Sequence, residues 1–205
     1  MLFRSAAYMS WAGQFAHANG LALHVDGARI FNAAIALGVR AEQLVEQADS
    51  VTFCLSKGLC APVGSVLCGS QEFIRQARRV RKQLGGGMRQ AGGIAAAGIV
   101  ALEEMVDRLS EDHRRAFSLA KGLKEIFGVT LPMGMPQTNM VFPALPVDFP
   151  GTAAEVAAEL SKRRVRVGVV GERMFRMVTH YWVDDEAVQY ALDMFQQVLS
   201  DLRRV

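Results

Sequence analysis

Long apolar runs are missing from this sequence. Although 51% of the residues are hydrophobic, no stretch reaches the roughly 18 consecutive apolar positions that a membrane span needs. The opening segment, Met1–Phe15, is broken by Ser10, Gly13 and Gln14, so we expect no cleaved leader there and read a helix from Tyr8 instead. Cysteine is scarce as well. Cys54, Cys60 and Cys68 are odd in number and form no CxxC pair, which argues against a disulfide framework and a thiolate zinc site and points to a reducing, cytoplasmic setting. Aromatic residues make up only 8% of the chain and the net charge is +3. Neither a base-stacking platform nor a strong basic field is present, and no nucleic-acid or membrane partner is expected. Repeats and low-complexity tracts are also lacking.

What remains is a globular α/β pattern. Tyr8–Asn19 reads as a helix closed by Gly20. Leu21–Val25 is a short apolar run ending at Asp26-Gly27, and Ser50–Leu55 is a second, ending at Ser56-Lys57-Gly58. Pro62–Cys68 is a third. Helical pieces at 28–37 and 41–47 lie between the first two, a spacing that implies βαβ units and a parallel sheet with both strand faces buried. Helices are expected at 71–84, 89–105 and 109–127. From there the pattern changes: Pro132, Pro136, Pro143, Pro146 and Pro150 punctuate the chain around a strand at 139–142. A helix at 153–162, strands at 165–170 and 174–180 joined at Gly171, and a final helix at 184–202 capped by Asp184 complete it. We divide the chain into residues 1–105 and a smaller lobe, 106–205.

Ligands of parallel α/β sheets bind beyond the carboxyl ends of the strands. Asp26 ends one strand and Lys57 follows the end of the next, about one 30-residue βαβ unit later, so a right-handed crossover places both on the same edge. A lysine amine and a carboxylate so placed suit the two ends of a flat cofactor such as pyridoxal phosphate. The amine would form a Schiff base with the aldehyde, and the carboxylate would keep the ring nitrogen protonated. Partial burial and nearby cations would help Lys57 reach its neutral, nucleophilic form, and Gly58 would let the backbone approach the ligand. The spacing alone is equally met by a helix-capping aspartate and a solvated lysine.

Four local strings carry more. Leu23-His24-Val25-Asp26-Gly27-Ala28-Arg29-Ile30-Phe31-Asn32-Ala33, Phe53-Cys54-Leu55-Ser56-Lys57-Gly58-Leu59-Cys60-Ala61-Pro62-Val63-Gly64-Ser65, Arg81-Lys82-Gln83-Leu84-Gly85-Gly86-Gly87-Met88-Arg89-Gln90-Ala91-Gly92 and Arg176-Met177-Val178-Thr179-His180 occur in this order. They closely resemble the cofactor, Schiff-base, glycine-rich and C-terminal strand segments of the low-specificity L-threonine aldolase family. The resemblance implies a fold-type I, aspartate-aminotransferase-like α/β protein: a remnant of the pyridoxal-phosphate-binding large domain with a parallel sheet over 1–105, and a small α+β C-terminal domain over 106–205.

It also implies roles. Lys57 would be the catalytic, cofactor-binding lysine, with Ser56 beside it, and Asp26 would pair with the ring nitrogen. Arg29 would reach the substrate carboxylate or the cofactor's oxygen side, and Arg176 would be the second carboxylate-binding arginine. Lys82 and Arg89 flank the triple glycine, whose amides, at a helix start, could hold an anion for the cofactor phosphate or a neighbouring subunit's site. Arg75, Arg78, Arg79 and Arg81 read as solvated charges. His24 reads as a satisfied core histidine, His17 and His113 as helix-surface residues, and His180 receives no role. The family carries an N-terminal half of the large domain ahead of the aspartate segment. This chain would lack that half, with its phosphate-binding and ring-stacking groups.

The resemblance therefore implies a lyase that cleaves L-threonine or L-allo-threonine to glycine and acetaldehyde in a homo-oligomer, the family's tetramer. A catalytically incompetent remnant that serves as an oligomer partner, and another pyridoxal-phosphate-dependent β-eliminating lyase, stay open beside it.

Overall fold

The structure, a computed structural model, describes residues 5–203; Met1–Arg4, on which part of the leader reading rests, lie outside the described residues. Two compact units divide the chain, one running through Leu109 and the other starting at Ser110. Each has its own core.

The first unit opens with α1 (Ala6–Ala18), whose N-cap Ser5 accepts a hydrogen bond from the Tyr8 amide. Gly20, at φ +69°, turns the chain out of the helix in the left-handed region that glycine adopts freely. A three-stranded sheet follows in the order β1 (His24–Asp26), β2 (Ser50–Cys54), β3 (Ser65–Gly69). β1 and β2 are parallel, with His24 opposite Ser50 and Asp26 opposite Thr52. Between them run α2 (Ile30–Leu37), ended by Gly38 in the left-handed conformation, and a 3-10 turn at Ala41–Leu44. The third strand departs from the parallel expectation, because β2 and β3 are antiparallel, with Cys54 opposite Ser65. The physical reason is reach. A parallel return needs a crossover of a dozen or more residues, and the Leu55–Gly64 connection is shorter. It closes as a tight loop.

One face of this sheet is dry. Ile30, Ala33, Ala34, Leu44 and Val51 form a core against which Val25 and Phe53 pack, and the rings of Phe31 and Phe53 meet edge to face at 5.3 Å. The other face carries His24, Asp26, Ser50 and Thr52. Burial of the strands on both faces, as their apolar composition suggests, is not found: β1 and β3 contain no buried residue, and β2 buries only Ser50 and Val51.

The rest of the unit is helical. α3 (Gln71–Gln83) is capped by Ser70 and has no buried residue; its arginines are solvated, as their density predicts. α4 (Gly92–Glu104) follows. Ala101 of α4, together with Leu59, Ala61 and Leu109, makes a second small core.

The second unit is built on α5 (Leu109–Glu125), β4 (Met140–Val141), α6 (Ala153–Lys162), β5 (Gly168–Val169), β6 (Phe175–Val178) and α7 (Asp185–Arg203). Its sheet has the order β4-β6-β5 and is antiparallel throughout. Thr152 and Glu155 form a capping box at the start of α6, and Asp184 caps α7 by accepting from the Ala187 amide. Phe175, Phe195, Leu123, Leu160 and Val156 are almost wholly buried in one core. A polar latch crosses it. Asn139 donates through Nδ2 to the Thr179 carbonyl, and the Thr179 hydroxyl donates to the Asp112 carbonyl at 2.6 Å. Among the described residues, no helix is long and apolar enough to cross a membrane.

Candidate active site

Asp26 is held at the carboxyl end of β1 by its own turn. Its Oδ1 accepts from the Ala28 amide at 3.1 Å, an Asx turn that restrains the carboxylate. Gly27 donates to the Thr52 carbonyl at 2.7 Å. A β-carbon on Gly27 would lie 3.0 Å from that oxygen and 3.2 Å from Ile30 Cβ, so a larger residue here would push the neighbouring atoms apart by a few tenths of an ångström. Arg29 is the N-cap of α2 rather than a residue within it, and it is half-buried.

Lys57 stands on the loop beyond β2. Leu55 donates to the Gly64 carbonyl and accepts from the Ala61 amide, both at 3.0 Å, and the Cys60 amide donates to the Lys57 carbonyl at 3.0 Å. Cys60 takes φ +60° to make that turn. Leu59 and Ala61 anchor the loop in the core, at 3% and 7% exposure. Gly58 is buried, and a β-carbon there would sit 2.8 Å from Leu109 Cδ2 and 3.5 Å from Asn32 Oδ1. The partial burial expected for Lys57 is not found, since the side chains of Ser56 and Lys57 are both exposed. The chain buries the residues that carry the loop and leaves its amine outside.

The parallel β1–β2 register thus brings Asp26, Ser56 and Lys57 to one edge of the sheet. Lys82 and Arg89 belong to the same unit but lie on α3 and on the loop after it. Gly85, at φ +80°, ends α3 in a Schellman-type cap: the Gly85 amide donates to the Lys82 carbonyl at 3.2 Å and the Gly86 amide to the Arg81 carbonyl at 2.8 Å. These amides close a helix end. They do not open a helix start, so the anion cradle expected of the triple glycine loses two of its donors. Gly87 packs on the Lys82 stem, and a β-carbon on it would meet Lys82 Cδ at 2.8 Å. Arg176 lies in the second unit, facing out of β6 between the buried Phe175 and Met177.

The histidines differ from expectation in two places. His24 is exposed rather than in the core, although it is satisfied: Nδ1 lies 2.8 Å from Ser50 Oγ and Nε2 3.5 Å from Thr52 Oγ1. His113 is half-buried, and burial holds its pKa below the usual imidazole value. His17 bonds Asp49 at 3.0 Å. Two site neighbours had escaped the sequence reading, Thr52 opposite Asp26 and Asn32 beside Gly58. Asn32 is 4% exposed; the signal for it was a polar residue inside the apolar run Ile30-Phe31-Asn32-Ala33-Ala34.

A family model for beta-eliminating lyases matches residues 3–146, a span that takes in both strand ends, the lysine loop and the glycine segment. The chain belongs to the beta-eliminating lyase family. Within it, the chain is 44% identical over 199 residues to low-specificity L-threonine aldolase 1 of Arabidopsis thaliana, covering 97% of this chain and 56% of that protein. It is 42% identical over 179 residues to the low specificity L-threonine aldolase of Escherichia coli K12, covering 87% and 51%. Among solved structures, a putative L-allo-threonine aldolase from Listeria monocytogenes superimposes with a TM-score of 0.80 at 18% identity, over 96% of this chain and 57% of that one. A threonine aldolase from Leishmania major gives 0.73 at 17%. The chain therefore spans about half the length of the curated relatives it matches, and its fold is that of the fold-type I enzymes.

Pyridoxal phosphate is the cofactor of this beta-eliminating lyase family. The residues present fit two of its groups: a carboxylate fixed by the Ala28 amide for the ring nitrogen, and an exposed amine on a pinned loop, at the same sheet edge, for the aldehyde.

Proposed function

We propose that this chain carries the cofactor-binding and substrate-binding residues of a pyridoxal-phosphate aldehyde-lyase, which cleaves the Cα–Cβ bond of L-threonine or L-allo-threonine to give glycine and acetaldehyde. The observation that carries the reading is the parallel β1–β2 register, which puts Asp26 and the Lys57 loop at one edge. Relatives that share these segments bear the threonine aldolase name.

In this reading Lys57 would hold the cofactor through its aldehyde, with Ser56 beside it. The Asp26 carboxylate, with Oδ1 on the Ala28 amide, would be the partner that keeps the ring nitrogen protonated. Bound there, the cofactor supplies an electron sink for the bond being broken. Arg29 and Arg176 supply planar guanidinium forks for a carboxylate, and Lys82 and Arg89 supply further cationic side chains for anionic groups of cofactor or substrate. A cytoplasmic location accords with the three free cysteines. Assembly as a homo-oligomer accords with the stripe of Tyr8, Trp11 and Phe15 on α1, which are 44%, 56% and 56% exposed, an apolar surface of the kind that marks association.

The test is chemical. Borohydride reduction of the protein mixed with pyridoxal phosphate, followed by peptide mapping, is expected to place the label on Lys57. A label on Lys82 instead, or on no lysine, overturns the assignment. Product analysis with L-threonine then separates the reactions, because aldol cleavage gives glycine and acetaldehyde whereas β-elimination gives 2-oxobutanoate and ammonia.

A further inference from the structure

In the first unit, α2 stands between two apolar clusters. Ile30, Ala33 and Ala34 belong to the core under the sheet. Phe31 and Ile35 pack against the other cluster, in which Leu59 and Ala61 seat the Lys57 loop beside Ala101 and Leu109. Asn32 follows Phe31 and stands three residues before Ile35, so helical spacing turns it toward the loop. It is 4% exposed. Packing alone would favour an aliphatic side chain here, because a buried amide gives up its water contacts and must regain them from the fold. Asn32 has a partner within the fold, so its carboxamide is held in place.

That carboxamide faces the residue next to the lysine. A β-carbon on Gly58 would lie 3.5 Å from Asn32 Oδ1, 3.9 Å from Asn32 Nδ2 and 2.8 Å from Leu109 Cδ2. The Gly58 backbone is therefore seated against the carboxamide and the Leu109 side chain. The same helix is tied to the other group of the site. The Ala28 amide, on the way into α2, donates to Asp26 Oδ1, and the Ile30 amide donates to the Gly27 carbonyl at 2.8 Å. One short helix thus connects the Asp26 turn to the backbone beside Lys57.

We propose that Asn32 is a positioning residue, which holds Gly58, and through it the Lys57 backbone, at a fixed place relative to the Asp26 carboxylate. The amine and the carboxylate have to meet opposite ends of one flat ligand, and a misplacement of about 1 Å costs on the order of a hundredfold in chemistry that depends on such geometry. That the amine so placed takes pyridoxal phosphate rests on the lyase reading above, whereas the brace itself rests on the contacts of this unit.

Amide hydrogen exchange of the purified, cofactor-free protein reads the brace without turnover. Two amides report on the loop: Cys60, which donates to the Lys57 carbonyl, and Ala61, which donates to the Leu55 carbonyl. The Gly27 amide, bonded across the strands to the Thr52 carbonyl, is the reference. Asn32→Leu keeps the size of the side chain and removes its polar atoms. It is expected to speed exchange at Cys60 and Ala61 by about tenfold or more through local opening of the loop, with a far smaller change at Gly27. Asn32→Ser, whose shorter side chain falls short of Gly58, is expected to do the same and serves if Asn32→Leu fails to fold. In either variant the dissociation constant for pyridoxal phosphate, followed by absorbance, should rise by about tenfold while the borohydride label still falls on Lys57. A residue with only a general packing role would speed all three amides by one common factor. That result, or unchanged exchange at Cys60 and Ala61, or unchanged cofactor affinity, overturns the proposal. A wild-type protein that takes no label at Lys57, with the exchange pattern as expected, overturns the lyase reading and leaves the brace standing.

Discussion

Gly58→Ala places one methyl group where the structure has no space, next to the lysine that carries the proposed chemistry. The backbone of Gly58 is not in the left-handed region, so the effect is one of packing. The added β-carbon would come to 2.8 Å from Leu109 Cδ2, well inside van der Waals contact, and Leu109 is 0% exposed, so it has no solvent side into which to retreat. Overpacking of this kind costs about 1–3 kcal/mol. In a unit of about 100 residues each kcal/mol lowers the melting temperature by about 4–8 °C, a shift that calorimetry or circular dichroism resolves easily. A double-mutant cycle isolates the cause. Leu109→Ala alone should cost about 2–5 kcal/mol through its cavity. In the double variant the alanine methyl at 58 enters part of that cavity, so the combined loss should fall short of the sum by about 1 kcal/mol or more. Additive losses, or an unshifted melting temperature in Gly58→Ala, would refute the claim that Leu109 closes this space.

Asp49 accepts from the Leu23 amide and from His17, which together hold its carboxyl below the usual aspartate range. A depressed native pKa contributes stability above the unfolded value and loses it as pH falls through the native one, so the stability gap between wild type and Asp49→Asn should be present at neutral pH and close below about pH 4; a gap independent of pH in denaturant titrations would contradict this. Thr179→Val removes the buried hydrogen bond from the Thr179 hydroxyl to the Asp112 carbonyl and is expected to cost about 0.5–1.5 kcal/mol, measured by urea unfolding, with Thr179→Ser recovering most of it. Asp26→Asn keeps an oxygen for the Ala28 amide and removes only the charge, so it should leave stability unchanged and weaken cofactor-dependent turnover by about 1.5–3 kcal/mol or more; full turnover would exclude Asp26 as the partner of the ring nitrogen.

The elements that carry their own boundary signals were readable from the chain. α6 begins at its Thr152–Glu155 capping box, α7 begins after Asp184, and the β5–β6 connection passes through Gly171. Asp26 and Lys57 were legible as a pair because each ends an apolar run, and strand ends are where α/β sheets place their chemistry. The direction of β3 was legible in principle, from the length of the Leu55–Gly64 connection, but apolar composition pointed toward a parallel strand. Exposure was not legible: an apolar strand looks the same whether or not something covers it, so the openness of β1 and β3, and of the Lys57 side chain, emerges only from the fold. The latch of Asp112, Asn139 and Thr179 joins residues far apart in sequence, and its one local hint was the polar Thr138-Asn139 pair ahead of an apolar strand.

The loop beneath Lys57 bears on the thermodynamics of anything that binds there. Freezing a backbone residue costs about 1–2 kcal/mol of conformational entropy, and a loop that ordered only around its ligand would deduct that cost from affinity. Here the bonds from Leu55 to Gly64 and Ala61, and from Cys60 to Lys57, together with the buried Leu59 and Ala61, order the segment when the chain folds. Only the lysine side chain remains to be fixed when a ligand arrives. Attachment at Lys57 should therefore show a small entropic penalty and little change in amide exchange across residues 55–61, whereas loosening the loop through Leu59 should weaken attachment without touching the amine.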